Sequence, residues 1–318
     1  MLAGRPQVSV METMDLPKNK PLPDVAYDAA QFARPLDWVG MAHVALPLRW
    51  HDALLSADAD VFVNLTDPDA RGIHMSRLYL HIQNAFAERT FCRNLLQDVL
   101  EDLVESQGDT TSAARLVLRF PALLSRKALA SDNAGWRSYP LTVTAQLDPQ
   151  RGFSWELSFA VQYSSTCPAS AALSRRAIAD AFSEHFAGNT SVDAADVAAW
   201  LSSREGLAAT PHAQRSNADV TVRLSAAQDE LPFESLLDAL ESSLATVVQT
   251  AVKREDEQAF ARLNAQNLMF CEDASRRVAA TLSQRPEVIS FTARIEHLES
   301  LHAHDAVAMV QGKGAATA

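Results

Sequence analysis

Two residues invite chemistry first, Cys167 and His212. Cys167 stands in SSTCPAS, directly after a strand-like run, and the proline behind it ends that strand. A thiolate exposed there serves as a nucleophile or a metal ligand, and a packed, inert cysteine leaves the same trace in sequence. His212 stands in TPHAQRS, directly before another strand-like run. Between the two lies an Ala-rich helical stretch, 171–210, far longer than a strand-to-strand connection needs. If it loops outward its ends meet, and they bring the cysteine and the histidine together as a Cys/His metal pair requires. A loop histidine in water is the plainer alternative.

Other clusters are weaker one by one. In RGIHMSRLY, His74, Ser76 and Arg77 open a helix, where free N–H groups and the macrodipole favour an anion, although ordinary capping uses similar residues. In VKREDEQ, Lys253, Arg254 and Glu257 sit late in a long helical pattern, as a solvated face also would. FCEDASRR opens a further helix with Glu272 and Asp273, which complement its dipole. HLESLHAH sets Glu299, His302 and His304 at a strand end, a metal or acid–base grouping or a polar turn.

The elements that must position these residues follow from periodicity. Strand-like runs at 38–50 and 60–66 precede helical patterns at 75–88 and 91–107, and strands at 114–122 and 140–147 close the set. The order then recurs: strands at 153–163 and 219–225, helical patterns at 233–265 and 271–283, strands at 287–299 and 306–310. In the first of these, Trp155, Leu157, Phe159, Val161 and Tyr163 share one face by period two. The chain thus reads ββααββ twice, without visible sequence likeness between the halves, as an α+β protein with antiparallel sheets and helices on one face. The expected divisions are a tail at 1–34, units at 35–150 and 151–311, the insertion at 171–210 and a disordered end at 312–318.

Composition bounds the partners. The 318 residues are 47% hydrophobic and 21% charged, with a formal net charge of −11. An acidic chain with mixed charges excludes general nucleic-acid binding and an anionic membrane surface, whereas a polyanionic small molecule needs a locally basic pocket. Three cysteines and no apolar run of membrane-spanning length fit a cytoplasmic protein. Residues 1–34 carry four prolines and no apolar segment of the secretory kind.

Six fragments in one order, GIHMSR, CPAS, HAQRS, KREDE, FCED and ESLHAH, resemble the prokaryotic type IB GTP cyclohydrolases. Any one of these motifs is weak; six in order are specific. The resemblance implies the bimodular tunnelling fold (T-fold), a homotetramer with inter-subunit active sites, and GTP as substrate. It also implies hydrolysis to formate and 7,8-dihydroneopterin triphosphate, a precursor for folate, by water activated on a divalent metal (zinc, manganese or iron(II)). Carried over by position, Cys167 and His212 match the metal ligands, and Glu299 and His302 line the same catalytic pocket. His74, Ser76, Arg77, Gln214 and Arg215 match motif positions near substrate, with Lys253, Arg254, Glu257 and Glu272 as further substrate-binding candidates. Arg77 and Arg215 are the first choices for the triphosphate.

Three departures stand out. Ala169 replaces the second cysteine of the family's C-P-C-S motif. Val247 and Arg262 fall where two glutamates are expected, which leaves Glu257, Glu272 and Glu299 as possible further ligands. The insertion, finally, separates Cys167 from His212 by 45 positions. The alternatives to an active hydrolase are a catalytically impaired nucleotide-binding paralogue, favoured by Ala169, and a nitrile reductase of the same fold with Cys167 as covalent nucleophile, which the HMSR and HAQRS motifs oppose.

Overall fold

The computed structural model describes residues 25–317. Much of the expected tail at 1–34, and residue 318, lie outside the described residues. Eight strands form one antiparallel sheet in chain order: β1 (Leu36–Trp50), β2 (Ala53–Leu65), β3 (Ala114–Lys127), β4 (Ala134–Asp148), β5 (Gly152–Thr166), β6 (Ala213–Leu224), β7 (Val288–His297) and β8 (Ala306–Lys313). Helices α1 (Met75–Glu88) and α2 (Arg93–Gln107) lie between β2 and β3. Helices α3 (Pro168–His185) and α4 (Ala194–Ser202) lie between β5 and β6, and α5 (Phe233–Leu244), α6 (Arg254–Gln266) and α7 (Cys271–Ser283) between β6 and β7. This is the α+β architecture read from periodicity.

Each element forms because one face has somewhere dry to go. On α1 the buried residues are Leu78, Ile82 and Phe86, and on α5 they are Phe233, Leu236, Leu237, Leu240 and Leu244. Both stripes follow helical spacing and meet the buried faces of the strands, where Trp155, Leu157, Phe159, Val161 and Tyr163 alternate with more exposed neighbours. Burying each such large side chain contributes roughly 1.5–3 kcal/mol. The halves join at a tight turn, where Asp148 accepts the Gln150 and Arg151 amides at 2.9 Å and Gly152 adopts φ +70°.

Four expectations are corrected. The pattern at 233–265 is two helices: Ala245 takes φ +64°, and 246–248 then run beside β5. There Thr246 Oγ1 donates to Ser164 O at 2.6 Å and Val248 N to Gln162 O at 3.2 Å, so pairing with the sheet outweighs helix propensity. KREDE therefore lies at a helix start, with Asp256 wholly buried. Second, β2 begins at Ala53 rather than near residue 60, which leaves a two-residue turn between β1 and β2. Third, Gly312 and Lys313 pair with Phe291 and Ser290, and the Ala315 amide donates to Arg285 O, so the chain's end is held by hydrogen bonds up to residue 316. Fourth, part of the expected tail is pinned: the Ala30 amide donates to Asp69 O, the Gly72 amide to Ala26 O, and Asp28 pairs with Arg71 at 3.6 Å. Within the insertion, the cap of α4 is Asp193, which accepts the Ala195 amide at 2.7 Å.

Candidate active site

One end of the sheet gathers the Cys167 and His212 motifs. β5 runs out at Thr166, and Cys167 follows as the cap of α3, its Sγ accepting the Ser170 amide at 3.5 Å. Pro168 suits the first helical turn, where no N–H partner is lost. His212 immediately precedes β6, and pairing of Thr166 with Ala213 sets it beside the cysteine. The Cys167 amide donates to His212 O at 3.3 Å, and the His212 amide to Ser170 Oγ at 3.2 Å. The insertion therefore stands on a closed neck made by the two residues that flank it.

Glu299 reaches the same place from β7. Ser216 pairs with His297 and the Leu298 amide donates to Arg215 O, which carries the chain past β6. Glu299 Oε2 lies 3.6 Å from His212 Nδ1, is buried, and has no hydrogen-bond partner among the described residues. His212 Nδ1 also meets Gln214 Oε1 at 3.0 Å. Behind this layer Tyr163 Oη and His297 Nε2 share a buried hydrogen bond of 2.8 Å. Burial holds the His297 imidazole down at about 4 and keeps it neutral, with the Glu272 charge only partly opposing, and burial pushes the Cys271 thiol up to about 11. Glu272 accepts from Cys271 Sγ at 3.3 Å and is held below the usual carboxylate range by its own backbone amide and that thiol.

A cleft of about 430 Å³ opens beside these residues, between the starts of β6 and α6; Gln214, Arg215, Val252, Glu257 and Phe260 line part of it. Asp256 anchors the α6 side. Its oxygens accept the Ala130 and Ser131 amides, Ser131 Oγ and the Lys253 amide at 2.6–2.9 Å, and these bonds depress its pKa strongly. Lys253 and Arg254 are exposed at the helix start. Gln214 is buried on the helix-facing side of β6 and Arg215 is exposed, as alternation along a strand requires.

The remaining motif residues lie apart. His74 precedes α1, its amide donating to Gln107 Oε1 at 2.9 Å, and Arg77 Nη1 donates to Ser106 O at 2.6 Å. With Ser76 they stand at the end of α2, in the other half of the chain. His302 is exposed in the turn between β7 and β8 and stacks on His304 with ring centres 5.0 Å apart. Val247 lies in the break after α5, its backbone bridging to Tyr163, and Arg262 is exposed on α6.

The Cys167 end offers one thiol and one imidazole, donor types that a divalent ion such as zinc takes, and beside the imidazole Nδ1 lies the Glu299 oxygen without a hydrogen-bond partner; the ligand atoms of these three residues do not all lie within 4.8 Å of one another. A second cluster, with no motif in the sequence, lies in the first half of the chain. His43, Asp58 and Asp60 have ligand atoms all within 4.8 Å of one another. There Arg119 bonds Asp58 at 2.9 Å and Asp60 at 2.6 Å, while His43 supplies Nδ1 to Asp58 and its amide to Asp60. Each carboxylate oxygen already has a donor, and a guanidinium occupies the position of a cation. The Arg119 hydrogen bond holds Asp60 below the usual carboxylate range. Alternating aspartates on one strand, both facing a basic partner, were the available signal.

Comparison with known proteins adds the following. Residues 22–308 match the model of the family described as type I GTP cyclohydrolase folE2. A GTP cyclohydrolase FolE2 of Pseudomonas putida (strain GB-1) is 49% identical over 290 residues, covering 91% of this chain and 95% of that protein. Among solved structures, a uricase from Bacillus fastidious superposes with a TM-score of 0.50 at 11% identity, covering 87% of this chain and 93% of the other. That likeness concerns the fold alone, which is of the tunnelling class.

Proposed function

The chain belongs to the FolE2 type of type I GTP cyclohydrolases, and from that premise we propose how it opens GTP. It is a hydrolase that converts GTP to formate and 7,8-dihydroneopterin triphosphate, toward folate and pterins. The type IB label suggested by the motifs is part of the same proposal. The observation that carries the site is the meeting of Cys167, His212 and the buried Glu299 oxygen at one end of the sheet.

Cys167 and His212 would hold a divalent ion: zinc suits the sulfur and nitrogen donors, and added carboxylates would admit manganese or iron(II). Such an ion, when bound, makes water a nucleophile at neutral pH for attack at C8 of the guanine. Glu299, close to His212 and shielded from solvent, is placed to take up and return a proton. Glu257 lines the cleft and Glu272 lies near His297 behind it, two carboxylates that could accept a purine's N–H groups. Arg215, Lys253 and Arg254 supply local positive charge within an acidic protein, as a triphosphate requires. His74, Ser76, Arg77 and His302 complete the pocket from a neighbouring subunit in a homotetramer. This assembly is supported by the edge strands β1 and β8, which leave both sheet edges open, with Leu36, Trp38 and Met309 exposed on them.

The second reading, a nucleotide-binding paralogue with impaired chemistry, rests on Ala169. One assay separates the two. GTP incubated with the protein and zinc, manganese or iron(II) should yield formate and the dihydroneopterin triphosphate. Cys167→Ala and His212→Ala should each lower bound metal about tenfold or more and remove turnover. Full metal occupancy in both variants defeats the assignment of the ion; GTP binding without product under every metal favours the paralogue.

A further inference from the structure

His212 is fixed on three sides. Its amide is held by Ser170 Oγ, its carbonyl by the Cys167 amide, and its ring by Gln214, with Nδ1 to Oε1 at 3.0 Å. An amide oxygen has no proton to give, so that ring bond exists only when Nδ1 carries the hydrogen. The Gln214 amide is itself held: its Nε2 donates to Ser165 Oγ at 2.9 Å, and Ser165 Oγ is bonded to Ser216 Oγ at 2.8 Å. Gln214 is 8% exposed and both serines 0%, so the links behind the ring are shielded from water. The Glu299 carboxylate, 3.6 Å away, approaches the same ring nitrogen and also only accepts when ionised. Both neighbours thus place the proton on Nδ1 and leave the lone pair on Nε2.

A metal takes a histidine through that lone pair. The donor bond made by the other nitrogen sets the tautomer, the ring angle and the basicity. We propose that Gln214 is a positioning residue for His212, presenting Nε2 to a divalent ion. The inference rests on the metal assignment made above, and it reassigns Gln214 from the substrate-binding role implied by its motif. Ser165 and Ser216 extend the chain of bonds: they stop the amide from rotating, which would set its NH2 against Nδ1.

The test measures binding of zinc alone to the metal-free full chain, without GTP. Gln214→Leu should weaken the zinc Kd by roughly 10–100-fold, the usual cost of losing such a partner. Gln214→Glu should stay within a few-fold of the parent, because a carboxylate accepts the same Nδ1 hydrogen. Ser165→Ala should fall between the two. The ring nitrogens of His212, followed by 15N NMR in the metal-free parent, should show hydrogen on Nδ1; this readout needs no variant to fold. An Nε2–H pattern, or parent-like zinc affinity in Gln214→Leu together with a raised KM for GTP, overturns the proposal, as does equal loss of zinc in the Leu and Glu variants. His212→Ala measured alongside keeps the two levels apart. If it retains zinc, the metal assignment has failed; if it loses zinc while Gln214→Leu does not, only the role of Gln214 has failed.

Discussion

The two halves of the chain each carry a histidine beside carboxylates, and they treat the pair in opposite ways. In the first half His43, Asp58 and Asp60 converge across β1 and β2, and Arg119 from β3 closes the group so that every carboxylate oxygen has a donor. In the second half His212 and Glu299 converge across β6 and β7, and one Glu299 oxygen is buried with no hydrogen-bond partner. The connections differ in the same sense. β1 turns into β2 through two residues, whereas β5 reaches β6 only after α3 and α4, which stand on Cys167 and His212. A completed network stabilises a sheet; an incomplete one, held rigid from behind by Gln214 and Ser165, is poised for something the chain itself does not supply.

The sharpest way to probe that contrast is to add the group that the second half lacks. Ala169 lies in the first turn of α3, two residues from Cys167. Ala169→Cys should raise GTP turnover on the order of a hundredfold if a thiol there assists proton transfer. Unchanged turnover places the missing proton carrier elsewhere, with Glu299 the nearest alternative. Next in size is the contribution of the first half to the site. Arg77→Ala should weaken GTP binding about tenfold, the scale of one charged hydrogen bond, while guanosine binding changes little. The deficit should shrink in high salt. Equal losses for GTP and guanosine would mean that Arg77, already bonded to Ser106 O, serves only to fasten α1 to α2.

Periodicity made most of this architecture legible. The alternation of Trp155 to Tyr163 and the helical stripes of Leu95 to Leu103 fix which faces are buried whatever lies beyond them. It failed where tertiary contacts overrule local preference. Nothing in LESSLATVVQ breaks a helix, and the bend at Ala245 exists because Thr246 bonds Ser164 from 82 positions away. The alanines and aspartates of 57–60 are poor strand formers, held in β2 by their neighbours on both sides. The meeting of Cys167 and His212 was readable because an outward loop must return to its base. The direction of the Gln214 amide, the isolation of one Glu299 oxygen and the reach of Arg119 to Asp58 and Asp60 depend on strand register, which a single sequence does not encode locally.

The smallest effect concerns the completed cluster, and it tests whether completion is what keeps an ion out. Arg119→Ala removes two of the four donors to Asp58 and Asp60, leaving two carboxylates and His43 with ligand atoms within 4.8 Å. The parent should bind no divalent ion there; the variant should bind manganese or zinc weakly but measurably, because two carboxylates and an imidazole then lack a fixed cation. The Arg119 side chain is 42% exposed, so solvent screening limits the stability lost to about 1 kcal/mol. The pH dependence has a definite sign. Asp60 is held below the ordinary carboxylate range chiefly by its Arg119 hydrogen bond, so that stabilisation is complete above about pH 4 and disappears as acid protonates the group. Parent and variant should therefore differ in thermal stability at neutral pH and converge in acid, and added manganese should restore part of the difference in the variant alone. If Arg119→Ala acquires no metal affinity, the guanidinium is not standing where a cation would, and the contrast between the two clusters lies in their geometry rather than in their charge.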